Sequence, residues 1–227
     1  MKKKFTCFIF ARGGSKAIKK KNIVNIKGKP LIYYTIKEAK KSKFINKIIV
    51  STDDKDIKKV AKKYKLDVIN RPSYLCKDNS NELDAWKHAI YLDQNKLKEN
   101  DLFISLPATS PLRNVEDIDK GIAKFLKNKK DILIGITPSH RNPYLNMVEI
   151  KKNKPQIIIN KKKFFRRQDS PKTYDITTVI YIARRKYLMK CKSILDGRVD
   201  YIIIPKERSL DIDDKIDLKI ARYMIKK

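Results

Sequence analysis

Arg12, Gly13, Gly14, Ser15 and Lys16, followed shortly by Lys21 and Asn22, concentrate cations, glycines and a hydroxyl in one short stretch. Glycine lets backbone N–H groups approach an anion closely, and the cations neutralise it, so these residue types suit a phosphate. The stretch is neither Gly-x-x-x-x-Gly-Lys-[Ser/Thr] nor Gly-x-Gly-x-x-Gly. A plainer reading is an ordinary strand-to-helix turn on a lysine-rich surface. Three cations around two glycines favour the phosphate reading.

A second group of chemical interest is Leu210-Asp211-Ile212-Asp213-Asp214. Asp211 and Asp213, two apart, face the same side of an extended chain. Two such carboxylates beside phosphates suit Mg²⁺, which takes a few carboxylates together with phosphate oxygens and water. The alternative role is helix capping by Asp213 or Asp214. Arg166-Arg167 is a third candidate, because arginine grips carboxylates through a planar fork that lysine lacks. His140 and Cys7 have no partner at motif spacing, and neither a nucleophile elbow nor HExxH occurs. The chemistry expected is therefore positioning and charge neutralisation, as in phosphoryl or nucleotidyl transfer.

The elements that must position these groups alternate. Apolar Phe5 to Phe10 reads as a buried strand, as do Ile48 to Val50, Val68-Ile69, Leu102 to Leu106 and Ile132 to Ile136. Between them, Asp54 caps a helix carrying Ile57, Val60, Ala61 and Tyr64. Ser80 to Leu97 reads as a helix with Leu83, Trp86, Ala89, Ile90 and Leu92 near one face. Ile118, Ile122, Ala123 and Leu126 mark another. Strands separated by helices predict an α/β fold with a mostly parallel, doubly wound sheet. After Pro138 the rhythm breaks: Met147 to Ile150 and Ile157 to Ile159 flank a turn and predict a hairpin. It returns with Val179 to Ala183, Tyr201 to Ile204 and a helix from about Asp214 to Lys226. The expectation is one domain over 1–227, with an insertion at about 138–175. Ligands of doubly wound sheets bind beyond the carboxyl ends of the strands. Arg12 to Lys21, Ser51 to Asp54, Ala108 to Arg113 and Asp211 to Asp214 should then meet in one crevice.

Bulk properties narrow the function. The net charge of +30 invites a nucleic-acid partner, but only 11 of the 55 basic residues are arginine, and the lysines spread along the whole chain. A solvated lysine coat is the better reading, and no nucleic-acid partner is expected. No apolar stretch approaches the ~20 residues that span a bilayer, so no membrane partner is expected either. Met1-Lys2-Lys3-Lys4 is charged like a signal n-region, but the apolar run behind it is short and ends at Arg12-Gly13-Gly14. Three scattered cysteines predict neither disulfides nor a zinc site, and fit a reducing cytoplasm.

Seven motifs in order resemble those of the CMP-sialic acid synthetases, the acylneuraminate cytidylyltransferases. They are Ala11 to Lys16 with Lys21-Asn22; Gly28-Lys29-Pro30-Leu31-Ile32; Val50-Ser51-Thr52-Asp53; Arg71-Pro72; Thr109-Ser110-Pro111-Leu112-Arg113; Arg167-Gln168 with Pro171; and Leu210-Asp211-Ile212-Asp213. Together they cover nearly the whole chain. Arg141-Asn142-Pro143-Tyr144 and Arg167 to Lys172 look most like the bacterial branch acting on legionaminic acid.

The resemblance implies a Rossmann-like fold with an inserted β-hairpin arm for homodimerisation. It also implies that CTP and a nonulosonic acid give the CMP-sugar and pyrophosphate with Mg²⁺. By the same resemblance Arg12, Lys21, Asp211 and Asp213 are catalytic, the two aspartates as metal ligands. Ala11, Arg12, Gly13, Gly14, Ser15, Lys16, Lys21, Asn22, Arg71 and Asn81 bind the nucleotide. Thr109, Arg167, Gln168 and Tyr181 bind the sugar. Departures fall on the sugar side: Pro107-Ala108-Thr109 stands where many members have Gln-Pro-Thr, Thr177-Thr178 where members carry Asn-Gly, and Asp175 where sialic-acid enzymes have arginine. Glu82 aligns loosely with a serine near the cytosine pocket. The alternatives are a Kdo-type cytidylyltransferase and a degenerate nucleotide-binding homologue.

Overall fold

The computed structural model describes residues 4–93, 102–160 and 163–225. In chain order its elements are β1 (Phe5–Phe10), β2 (Asn25–Ile26), β3 (Lys29–Pro30), α1 (Leu31–Lys41), β4 (Ile45–Thr52), α2 (Lys55–Lys63), β5 (Asp67–Asn70) and α3 (Glu82–Leu92). There follow β6 (Leu102–Ser105), α4 (Val115–Lys127), β7 (Ile132–Pro138), β8 (Val148–Lys151), β9 (Lys154–Ile157), β10 (Tyr174–Arg184), α5 (Arg185–Lys190), β11 (Val199–Ile203) and α6 (Lys215–Met224). Seven strands form one sheet in the order β11-β7-β10-β6-β1-β4-β5. Its pairings are parallel except along β10, which runs antiparallel to both neighbours.

Alternation along the strands builds a core on each face. Cys7, Ile9, Val50 and Ile104 point to the side covered by α1, α2 and α4, where Ile32, Ile36, Ile57, Ile118 and Phe125 meet them. Phe8, Phe10, Ile49 and Phe103 point to the other side, against Trp86, Ala89 and Ile90 of α3 and Leu188 of α5. A satellite cluster joins Leu218 and Ala221 of α6 to Ile18, Ile26, Leu31 and Ile212. It anchors the segment before α6 beside the loop after β1. The β8–β9 hairpin is a separate two-stranded sheet.

The helices start where the sequence signals them. Asp54 accepts from the Asp56 and Ile57 N–H groups, Asn114 and Asp117 form a capping box on α4, and Asp214 and Asp217 form one on α6. Three details differ from the sequence pattern. Leu92 and Leu126 are exposed, and Phe125 takes the buried position on α4, because the buried stripe runs through 118, 122 and 125. Residues 31–41 form α1, to which the pattern above assigns no element. Strand β10 begins at Tyr174, well before Val179, and shifts register between Thr177 and Tyr181. The far end of the expected Ser80 to Leu97 helix lies outside the described residues.

Asp117 serves two purposes. Its Oδ2 accepts from the Asn114 N–H at 3.1 Å and from Arg208 Nε at 2.9 Å, while Oδ1 accepts from Arg208 Nη2 at 2.9 Å. Replacing Asp117 by alanine removes its half of the capping box and strands the guanidinium, at an expected cost of about 2 kcal/mol. In urea unfolding this appears as a lower midpoint with an unchanged slope.

Candidate active site

The carboxyl ends of β1, β5 and β6 meet the segment at Asp213 and the bend of β10 at Thr178. Among them lies a crevice of about 440 Å³ whose lining includes Arg12, Gly14, Ser15, Lys16, Lys21, Asn22, Arg71, Asn81, Glu82, Thr109, Thr178 and Asp213. Three of the four strand-end segments singled out from the sequence line this crevice; Ser51 to Asp54 does not, and instead supports the loop after β1 from behind.

The loop after β1 is fixed by its neighbours. Ala11, itself buried, donates its N–H to Ser51 O, and the Gly13 N–H donates to Asp53 Oδ1 at 2.9 Å. A Cβ on Gly13 would stand 2.8 Å from Asp54 Cβ, so only glycine lets the loop lie this close to the end of β4. Gly14 has open space around it. The buried Asn22 donates from Nδ2 to Arg12 O at 2.9 Å, while its Oδ1 is buried without a hydrogen-bond partner.

Four of the five cations that line the crevice, Arg12, Lys16, Lys21 and Arg71, are already engaged, and Lys77 is the fifth. Arg12 reaches Asp78 at 3.3 Å and donates to Cys76 O and Lys77 O. Lys16 reaches the same Asp78 at 2.6 Å. Lys21, mostly buried, lies 3.0 Å from Asp213. Arg71 is locked inward, donating to Ser51 O and Oγ and stacking over Phe10 at 5.4 Å; burial lowers its pKa. Asn81 caps α3 through its Oδ1, which accepts from Leu83 N, and the next residue is Glu82. Glu82 is exposed as a residue, but its carboxyl turns in among protein atoms and accepts from Trp86 Nε1 at 3.3 Å. That crowding raises its pKa.

Asp211 is half-buried behind Thr109, whose carbonyl accepts from Ile212 N at 2.9 Å. Desolvation raises the Asp211 pKa, Asp213 raises it further, and Thr109, Thr178 and Lys21 pull it down. One of its oxygens, Oδ1, is buried without a hydrogen-bond partner. Arg113 lies beneath this wall, 2 % exposed. It donates to Pro107 O at 2.6 Å, Thr178 O at 3.1 Å and Thr35 Oγ1 at 3.3 Å, and burial pulls its pKa down to about 10.

The expected sugar-side residues do not all reach the crevice. Thr109 does. Tyr181 is buried against Trp86, at 5.2 Å between ring centroids, and lines an adjoining cavity of about 280 Å³ with Glu82 and Lys192. Its phenol pKa is raised by burial and then by Glu82. Arg167 and Gln168 are exposed on a short turn of the insertion. Arg167 donates to His140 O and lines a separate cavity with Asn142, Lys172 and Lys206. Asp78 is absent from the sequence-derived set, and no motif announces it. Arg113 belongs to the strand-end segment Ala108 to Arg113 and to the motif Thr109-Ser110-Pro111-Leu112-Arg113, but neither assigned it a role.

Comparison with known proteins gives a consistent result. Residues 6–212 match the family described as Cytidylyltransferase. The chain is 36% identical over 224 residues to a post-translational flagellin modification protein B of Campylobacter coli, covering 97% of this chain and 94% of the relative. It is 36% identical over 223 residues to a CMP-N,N'-diacetyllegionaminic acid synthase of Campylobacter jejuni, covering 96% and 94%. In fold it is similar to a CMP:2-keto-3-deoxy-manno-octonic acid synthetase complexed with CTP, with a TM-score of 0.74 at 16% identity over 97% of this chain and 98% of that one.

The raised pKa of Asp211 has a consequence for stability. As pH rises through the carboxyl range, the unfolded chain releases this proton first, so folding stability falls across that window. Asp211→Asn should therefore be more stable than the wild type at neutral pH. The difference should close toward the unfolded carboxyl pKa of ~4, measured by urea unfolding at several pH values.

Proposed function

The chain belongs to the cytidylyltransferase family, and we propose that it activates a nonulosonic acid of the legionaminic type with CTP, giving the CMP-sugar and pyrophosphate. As a family member it is a nucleotidyltransferase. The observation that carries the reading is the convergence of Arg12, Lys16 and Lys21 with Asp213 and Arg71 in one crevice. A relative that covers nearly the whole chain and is named for diacetyllegionaminic acid supports the sugar class.

In this reaction the sugar's anomeric hydroxyl oxygen bonds to the α-phosphorus of CTP. The bond from that phosphorus to the bridging oxygen breaks, and pyrophosphate leaves with the electron pair. The hydroxyl proton passes to solvent. Arg12, Lys16 and Lys21 neutralise the phosphates, and the open space at Gly14 allows close approach to the backbone, while the Gly13 N–H is committed to Asp53. Arg71 and Asn81 hold the nucleoside end of the crevice.

Asp211 and Asp213 fit a divalent cation. One Asp211 oxygen is buried without a partner, and the neighbouring aspartate raises its pKa. They form only a pair: among the described residues there is no group of three or more His, Cys, Asp or Glu side chains suited to a metal. Phosphate oxygens and water would complete the shell. Bound there, Mg²⁺ would withdraw charge from the phosphates and assist departure of pyrophosphate.

We also assign a second copy of the chain to the inserted arm. Val148, Ile150 and Phe165 on the insertion, and Tyr174 and Ile176 at the start of β10, are exposed and apolar. Arg167 lies on the same insertion and does not line its own crevice, which suits delivery into a neighbour's site. Cys7, Cys76 and Cys191 are free thiols, in keeping with a cytoplasmic setting. Among the described residues no helix is long and apolar enough to cross a membrane.

Pyrophosphate release from CTP, measured with legionaminic, pseudaminic, neuraminic and Kdo acids, tests the reading. Release is expected with a legionaminic-type acid, with loss on chelation of divalent ions; no release with any of the four overturns it. Arg12→Ala should lower kcat/KM by about 10²–10³. For the arm, Arg167→Ala and Arg12→Ala proteins, each inactive alone, should recover about a quarter of wild-type activity when subunits are exchanged. No recovery means that Arg167 does not act across subunits.

A further inference from the structure

We propose that Asp78 stands in for a phosphate: its carboxylate occupies the anion position built by Arg12 and Lys16, and a polyphosphate must displace it to bind. The polyphosphate is identified through the nucleotide reading above, whereas the contact itself is independent of it.

The geometry is that of an anion held between two cations. Asp78 Oδ1 lies 3.3 Å from Arg12 Nη2, and Oδ2 lies 2.6 Å from Lys16 Nζ. The two preceding residues take part as well: Arg12 Nη1 donates to Cys76 O at 3.2 Å and to Lys77 O at 3.0 Å. Cys76 and Lys77 therefore accept two hydrogen bonds from this guanidinium, and Asp78 faces it as an ion pair. Lys16 and Arg12 hold the Asp78 carboxyl below its ordinary range, so it stays charged throughout neutral pH. Asp78 also lines the crevice together with both cations.

The contact is built to exchange. The side chains of Arg12, Lys16 and Asp78 are 38%, 85% and 52% exposed, so their pairing is screened and shallow. Arg71 and Arg113 differ: both are buried and bound to backbone carbonyls and hydroxyls, and no carboxylate competes for their donors among the described residues. The chain thus separates fixed arginines, which shape the crevice, from exchangeable cations, which meet the ligand. A ligand that must first displace Asp78 binds with its intrinsic affinity multiplied by the fraction of molecules in which the pair is open. A ligand without phosphate is indifferent to that fraction.

Titration calorimetry of the full chain at low salt, comparing wild type with Asp78→Asn and Asp78→Ala, tests this with CTP, tripolyphosphate and cytidine. Opening the pair should tighten CTP and tripolyphosphate by a similar factor, about fivefold, the size of one exposed ion pair. Cytidine should be unaffected, and the gain should shrink as salt rises. Unchanged circular dichroism and Tm confirm that the fold is intact. Unchanged or weaker polyphosphate binding in both variants overturns the proposal and makes Asp78 a residue that merely positions the cations. So does the absence of tripolyphosphate binding in all three proteins. If tripolyphosphate tightens as expected but CTP binds no better than tripolyphosphate in the wild type, the nucleotide reading fails while the role of Asp78 stands.

Discussion

The crevice wall depends on one buried guanidinium. Arg113 ties Pro107, at the end of β6, to Thr178, in the irregular stretch of β10, and to Thr35 of α1. Burying a cation is costly unless hydrogen bonds and nearby charge compensate. Here two carbonyls and a hydroxyl supply the bonds, and Asp211 and Asp117 supply opposite charge at longer range. The arrangement fixes Thr109 and Thr178, the two hydroxyl residues that favour the ionised form of Asp211. Antiparallel β10 makes this possible. Its register shift brings Thr177 against Gly135, where a Cβ would stand 2.7 Å from Thr177 Oγ1, and turns Thr178 toward Ser110 at 2.5 Å.

Electrostatics in the crevice follows a division of labour. Lysine and arginine outnumber acids more than two to one in the chain, yet Arg12, Lys16 and Lys21 each face an aspartate: the first two share Asp78, and Lys21 meets Asp213. Pairing lowers the repulsion among three cations crowded around one glycine loop, and it keeps them aimed into a single volume. The acids are exposed enough to give way, whereas Asp211 is held half-buried with an unpartnered oxygen. That oxygen lowers the stability of the fold and is available for chemistry, the usual compromise at a functional site.

The insertion obeys different rules from the sheet. Its β8–β9 hairpin pairs with itself and shows apolar side chains to the outside, whereas the sheet buries its own on both faces. Asn142 connects it to the loop before β10, donating to Ser170 Oγ and Pro171 O.

The sequence by itself determined the layers and the contents of the anion loop. Apolar strands alternating with capped amphipathic helices admit little besides a doubly wound sheet, and the strand-end rule then brings Arg12, Lys21, Thr109 and Asp213 to one edge. Local physics suffices there, because periodicity, caps and glycines act within a few residues. Only the tertiary structure decided the rest. The reversed direction of β10 is a matter of pairing partners. The tie through Arg113 spans more than sixty residues to Thr178. The contact of Asp78 with Arg12 crosses a comparable distance through a loop without periodicity or motif. Arg167 and Tyr181 were legible as residue types, but their separation into different cavities was not, because it depends on where an inserted arm stands relative to a sheet. Long-range placement of charge is set by packing, and a linear pattern does not encode it residue by residue.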